Sequence, residues 1–138
     1  VMFKQWALRP DSAGAGQHRG GMGATYEIEV LEESATAFLF GERGRFAPKG
    51  VAGGGDAALN RFEYEQDDGW HAPPMASKMV GIKLQRGQSV RLDTPGGGGY
   101  GAPANRAAAD VARDVAGGLL APDYATQTYG PDWKEVTQ

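Results

Sequence analysis

The stretch Thr25-Tyr26-Glu27-Ile28-Glu29-Val30-Leu31 alternates polar and apolar side chains with period two. Tyr26, Ile28 and Val30 face one way, Glu27 and Glu29 the other, which is the pattern of a half-buried strand. Similar short runs recur on either side of it. Residues 2–8 read as a strand with Met2, Trp6 and Leu8 on one face. Residues 35–40 are more uniformly apolar, as in a strand covered on both faces. Glu32-Glu33-Ser34 offers a hairpin connection between that run and the first. Residues 79–84 alternate Val80, Ile82 and Leu84 with Gly81 and Lys83. Gln85-Arg86-Gly87 then turns into residues 88–92, where Val90 and Leu92 share a face. A weaker strand spans 61–65. Five or six short strands joined by glycine-rich loops predict a small sheet or open barrel.

The period changes beyond residue 104. Asn105 reads as an N-cap, and Ala108, Val111, Ala112, Val115 and Leu119 follow the spacing of one buried helical face, with Asp110, Arg113 and Asp114 on the outer side. Gly117-Gly118 ends this helix. Pro122 opens a second, Pro122–Tyr129, stopped by Gly130-Pro131. The tail 132–138 is expected to be loose, with Trp133 as its anchor. The reading is α+β, mainly β, with two C-terminal helices in a single domain over 1–138: a β-rich part over 1–103, a helical part over 104–130 and a tail over 131–138.

Composition narrows the function classes. Of 138 residues, 22 are Gly and 8 Pro, while 41% are hydrophobic. Glycine is roughly twice its usual 7% share, yet the apolar fraction exceeds what a disordered chain carries, so a loop-rich folded chain is expected. A net charge of −3 without any basic run argues against nucleic acid as a partner. The absence of cysteine excludes disulfides and thiolate zinc sites and fits a cytoplasmic protein. No apolar run approaches a membrane span, and no secretory segment is expected. The two histidines, His18 and His71, sit in different loops, so no metal site is expected on this chain.

Glycines gather at 14–23, 50–55 and 96–101. Gly96, Gly98 and Gly101 formally satisfy G-x-G-x-x-G after a strand and before a helix. No strand follows that helix, however, so the βαβ unit of a dinucleotide site is missing. Pro95 and Pro103 also hold the helix start away from the glycines. The run Gly96-Gly97-Gly98-Gly99 is useful only where backbone must approach very closely. That means either a tight loop packed under another element or a loop pressed against a partner subunit or a neighbouring site. Arg9, Arg19, Lys49 and Lys78 stand beside loops and glycine clusters as candidate anion binders, with ordinary surface solvation the simpler reading. Asp11-Ser12 after Pro10 reads as an Asx-type turn, and Trp70 in a polar loop is a candidate for docking against a partner. Two self-standing activities are also considered. One is a module binding a small anion at residues 96–101. The other is a hydrolase using Ser77 and Lys78 as nucleophile and base, although adjacent strand residues point to opposite faces.

Taken together, the loops form a connected pattern. Arg9-Pro10-Asp11-Ser12-Ala13-Gly14-Ala15-Gly16 with Arg19-Gly20-Gly21-Met22-Gly23 resembles the RPDSGGxG…RGGxG segment of the hydantoinase B / oxoprolinase family. Arg45-Phe46-Ala47-Pro48-Lys49-Gly50-Val51-Ala52-Gly53-Gly54-Gly55 resembles its RFxPxGxxGGG loop. Ser77-Lys78 is similar to its PSK step, and Thr94-Pro95-Gly96-Gly97-Gly98-Gly99-Tyr100-Gly101 to its TPGGGGYG segment. Asp114-Val115, Gly118-Leu119 and Tyr129-Gly130 match the family's C-terminal end. Three departures stand out: Ala13 for a usual glycine, Ala76 for the proline before Ser-Lys, and Gln88 for a usual acidic residue.

The resemblance spans nearly all of this chain but only the C-terminal quarter or so of a full family member. It implies a small structural subunit, 14.6 kDa, of a multi-subunit, ATP-dependent, biotin-independent carboxylase that converts an aromatic methyl ketone in aromatic degradation, acting as a ligase. The same parts serve ATP-dependent hydantoinases, oxoprolinases and lactamases. Implied partners are a larger hydantoinase-B-like subunit and hydantoinase-A-like subunits that bind ATP with Mg or Mn, leaving no catalytic residue or cofactor on this chain. The candidate contact or site-lining residues are Gly20, Gly21 and Gly23 in the first loop, and Gly53, Gly54 and Gly55 in the second. Lys78 stands alone, and Pro95, Gly96, Gly97, Gly98, Gly99 and Tyr100 form the third loop.

Overall fold

The computed structural model describes residues 1–136. Seven strands form two open antiparallel sheets: β1 (Met2–Arg9), β2 (Gly23–Glu29), β3 (Ser34–Phe40), β4 (Arg61–Gln66), β5 (Gly69–His71), β6 (Lys78–Gln85) and β7 (Ser89–Asp93). The larger sheet runs β1-β2-β7-β4-β5, and β3 pairs with β6 in the smaller. The alternation read in β2 holds. Tyr26 and Ile28 stand opposite Leu92 and Val90 of β7, which in turn oppose Phe62 and Tyr64 of β4. Ala35, Ala37, Leu39, Ile82 and Leu84 of the small sheet pack onto Phe62, Tyr64, Val90 and Leu92, with Val30 at the junction. On the opposite face Glu27 takes a 2.6 Å hydrogen bond from Arg91 and a 3.0 Å ion pair from Lys4.

Glu32-Glu33-Ser34 does not close a hairpin, because β2 and β3 lie in different sheets. Past the last β2–β7 pair, Glu29 with Ser89, the Val30 N–H donates to the Gln88 carbonyl (3.0 Å) and the Gly87 N–H to the Val30 carbonyl (2.9 Å). The Arg86 N–H reaches Glu33 (3.2 Å), and pairing resumes at Ser34 with Gln85. One long two-stranded ribbon thus folds over on itself, bringing two apolar faces of the same ribbon together. Gln88 fixes the corner: its Oε1 accepts the Gln85 N–H (2.8 Å) and its Nε2 donates to Asp67 (2.9 Å). A carboxylate here could not make the second bond.

Two bulges shift the faces read from the sequence. Lys4 is an extra residue in β1, so Phe3, not Met2, shares the face of Trp6 and Leu8. In β6, Ala37 pairs with Ile82 but Leu39 with Met79, and Gly81 at φ 69 takes up the extra residue. Met79 therefore packs on the core, while Val80 turns to solvent. The expectation that residues 35–40 are covered on both faces also fails within this chain, since Phe38 and Phe40 on the outer face are exposed. Trp70 lies on β5, not in a loop, and the Arg91 guanidinium sits 4.9 Å from its ring centroid.

Pro103–Asn105 forms a 3-10 turn. Asn105 sits inside it, donating its N–H to Ala102 (3.0 Å), and so does not cap α1 (Ala108–Ala116), whose preceding residue is Ala107. Val111 and Ala112 of α1 pack with Ala125 of α2 (Pro122–Tyr129), Leu120 and Trp133 in a second core. The tail is not loose up to residue 136: α3 (Trp133–Val136) buries Trp133, and residues 137–138 lie outside the described part. No helix among the described residues is long and apolar enough to cross a membrane.

Candidate functional site

The three glycine clusters meet in one layer. The Gly14 N–H donates to Gly97 (2.8 Å), Gly97 to Gly21 (2.9 Å), Gly99 to Gly55 (3.0 Å), and Gly55 to Ala15 (2.7 Å). His18 and Tyr100 exchange N–H···O bonds of 3.0 and 2.9 Å. These backbones approach so closely that a methyl on Gly20 would run into the Gly97 carbonyl, and one on Gly99 into the Ala15 carbonyl. Close approach is thus the reason for the glycines at 20, 23, 54, 96, 98 and 99, each facing neighbouring backbone. Gly21, Gly53 and Tyr100 stand at the exposed rim. The structure brings the candidate loops 20–23, 53–55 and 95–100 together and leaves Lys78 out of them.

The motif Arg9-Pro10-Asp11-Ser12 stitches this layer to both cores. The fully buried Ser12 hydroxyl donates to the Arg9 carbonyl (2.6 Å) and accepts the Gly23 N–H (2.8 Å). Asp11, at φ 58, does not bond within its own turn. Its carboxylate accepts the Ala121 N–H (2.9 Å) and its N–H donates to Leu119 (3.0 Å), tying the end of β1 to the segment between α1 and α2.

All four candidate anion binders are engaged internally. Arg9 donates to the carbonyls of Leu59 (2.8 Å) and Thr94 (3.2 Å), Lys49 pairs with Asp56 (2.7 Å), and Arg19 grips Asp114. Asp114 is a correction to the helical reading, which placed it on the outer face of α1: it is buried, held by Arg19 and by Arg106 (2.7 Å). Burial pushes its carboxyl up, but the hydrogen bond from Arg19 and the charges of both arginines hold it below the ordinary value. A helical period registers only neighbours on the helix, and Arg19 lies in a distant loop. Lys78 pairs with Glu42 at 2.9 Å. The buried Ser77 hydroxyl accepts from Asn60 Nδ2 (3.0 Å) and donates to the Glu42 carbonyl (3.5 Å), and no bond joins it to the Lys78 amine, so Ser77 and Lys78 form no dyad. His71 pairs with Asp68 (2.7 Å), and no group of three or more His, Asp or Glu among the described residues is arranged to hold a metal.

Sequence reasoning expects unmatched surface on residues 1–103 but does not locate the apolar side chains that stay uncovered. The small sheet covers the β4 and β7 part of the large sheet's apolar face. The β1–β2 part carries a row of tilted rings, Phe3 to Trp6 at 5.0 Å and Trp6 to Tyr26 at 6.0 Å, with Trp6 71% exposed. A compact chain of 14.6 kDa presents about 6,900 Å² of surface, whereas this one presents 8015 Å². The difference, roughly 1,100 Å², is comparable with one partner's share of a standard interface, about 800 Å². A second patch, Phe38, Phe40 and Val80, lies on the outside of the small sheet. It adjoins a groove of about 780 Å³ between residues 41–46 and 74–78.

Residues 1–103 match the family profile described as hydantoinase B/oxoprolinase. The chain is 35% identical over 134 residues to the beta chain of caprolactamase from Pseudomonas jessenii, covering 94% of this chain and 23% of that protein. It is 26% identical over 130 residues to one component of a putative D-/L-hydantoinase of Pseudomonas sp. (strain NS671), covering 94% and 22%. Among solved structures, the ATP-dependent caprolactamase from Pseudomonas jessenii superposes with a TM-score of 0.75 at 32% identity, over 92% of this chain and 22% of that one. Nucleotide-free acetone carboxylase superposes with a TM-score of 0.79 at 21% identity, over 94% and 21%, a likeness of fold. The chain thus spans less than a quarter of the length of these relatives.

Proposed function

The chain belongs to the hydantoinase B/oxoprolinase family, and on that premise we propose that it works as a packing unit of an ATP-dependent, multi-subunit enzyme. In this reading residues 1–138 fold as one domain that supplies surface, and the reacting groups stand elsewhere in the assembly. The observation that carries it is the row Phe3, Trp6 and Tyr26, an apolar strip on the same sheet face that builds the core further along. Such strips mark protein contacts. Its occupants are a larger hydantoinase-B-type body and, beyond it, hydantoinase-A-type subunits that bring ATP and Mg or Mn, in the cytoplasm. The rim Gly21, Gly53 and Tyr100 forms a second contact of the same assembly.

For the reaction, the motif resemblance favours carboxylation of an aromatic ketone, acetophenone to benzoylacetate, in a complex like acetophenone carboxylase. A second reading, opening of a cyclic amide, is supported by the identity to caprolactamase, which is higher than that to acetone carboxylase. Native purification through a tag on this chain tests the reading, followed by measuring ADP release with acetophenone plus bicarbonate and with caprolactam. Co-purifying subunits and ADP release with the ketone are expected. Release with the lactam alone selects the second reading, and a chain recovered without partners overturns both.

A further inference from the structure

The groove between residues 41–46 and 74–78 combines features that the packing role leaves unused. Its walls carry three cations, Arg43, Arg45 and Lys78, against one carboxylate, Glu42. Glu42 already pairs with Lys78. The Arg43 and Arg45 side chains have no hydrogen-bond or ion-pair partner among the described residues, as is also true of Arg61 and Arg86 away from the groove, whereas Arg9, Arg19, Arg91, Arg106 and Arg113 are all bonded. Two guanidinium groups two positions apart in the lining, neither closed into an ion pair although the Arg43 charge is felt by Glu42, outweigh that carboxylate and make a local basic site on a chain of net charge −3. Guanidinium forks match carboxylates.

The apolar share of the groove is equally exposed. Phe46 stands 76% and Met75 67% exposed on its walls, and Phe40, at 76%, continues the surface onto the outer face of β3. The floor is fixed: the Gly41 N–H donates to Ser77 (2.7 Å), the Asn60 N–H to Arg43 (3.0 Å), and the Asn60 side chain to the Ser77 hydroxyl. Arg43 at φ 64 and Ala76 at φ 46 hold left-handed backbone on opposite walls, a conformation that disfavours side chains and that tertiary contacts must hold in place. Proline, usual in the family before Ser-Lys, could not adopt the geometry of Ala76.

We propose that this groove docks an extended segment of a partner polypeptide that carries carboxylates beside aromatic or aliphatic anchors. The inference rests on the subunit reading above and names the chemistry of one contact. An acidic segment is chosen over a small carboxylate because the exposed apolar side chains run beyond the groove onto the sheet, further than a small molecule reaches.

The test uses the full chain and fluorescently labelled synthetic peptides of alternating Glu and Phe, with a Lys and Phe counterpart and benzoate as competitor. Anisotropy is read at about 50 and about 300 mM salt, where screening separates charge from apolar contact. The proposal expects the acidic peptide to bind at least about tenfold more tightly than the basic one and to weaken with salt. It expects a similar loss in a variant carrying Arg43→Asn and Arg45→Glu, asparagine being tolerant of the left-handed backbone. Arg86→Glu, in the exposed corner after β6, is expected to change nothing. Equal binding of both peptides, insensitivity to salt, displacement by benzoate as readily as by peptide, or equal loss in Arg86→Glu would each overturn it. Wild-type salt dependence decides the matter even if the double variant fails to fold. If the acidic peptide does not bind while partner subunits still co-purify with the chain, the groove proposal falls and the subunit reading stands.

Discussion

Arg19 and Asp114, 95 positions apart, are joined by two parallel hydrogen bonds, Nε to Oδ2 at 2.7 Å and Nη2 to Oδ1 at 3.1 Å. The pair clamps the first glycine loop onto α1, and Arg106 closes it from the other side at 2.7 Å. Breaking a buried pair leaves its partners charged and unmatched, at about 3–5 kcal/mol. Asp114→Asn is expected to cost about 3 kcal/mol, near the low end of that range because Arg19 retains some exposure. Urea denaturation of the full chain measures it.

The same carboxylate gives the protein an acid limit. Burial raises both Asp114 and Glu27. Hydrogen bonds from Arg19 in the first case, and from Arg91 and Lys4 in the second, outweigh it and leave both lowered. A folded-state pKa below the unfolded value of about 4 means stability that is fully present above about pH 4 and is lost as pH falls through the folded-state value. The thermal midpoint is expected to hold steady down to about pH 5 and to fall below about pH 4, less steeply in Asp114→Asn. A pH series of melting curves decides it.

Glycine replacements separate packing from exposure. Gly99→Ala drives a methyl into the Ala15 carbonyl, and overpacking against rigid backbone is expected to cost about 3 kcal/mol or more. Gly21→Ala meets nothing within 4 Å and is expected to stay within about 0.5 kcal/mol of wild type. If both variants melt alike, the glycine layer is not the close-packed element described above.

How much of this was legible in the sequence depends on how far apart the causes lie. The β2 alternation and the α1 face were readable because both are local periods: Tyr26, Ile28, Val111 and Ala112 share a face with residues two to four positions away. Faces failed where a single residue broke the count, at Lys4 and Gly81, since a bulge leaves no mark in composition. Asp114 failed because its partner Arg19 arrives through tertiary packing. The glycine motifs were visible as motifs, but that three of them interlock through main-chain bonds follows only from their meeting in space. Exposure of Phe3, Trp6 and Phe40 was unreadable, because aromatic side chains on strands look alike whether covered or bare.

Gln88 offers a local check on the folded ribbon. Gln88→Glu keeps the bond to the Gln85 N–H but replaces the donor to Asp67 with a second carboxylate. A loss of about 0.5–1 kcal/mol is expected, shrinking when the variant is measured at a pH low enough to protonate the pair.

The central claim is that the aromatic row on β1 and β2 is covered by a partner in the working assembly. Hydroxyl-radical footprinting of the natively purified complex, set beside the chain alone, tests it at Phe3 and Trp6. The account predicts strong protection of both in the complex and full labelling in the free chain. Equal labelling in the two states would contradict it.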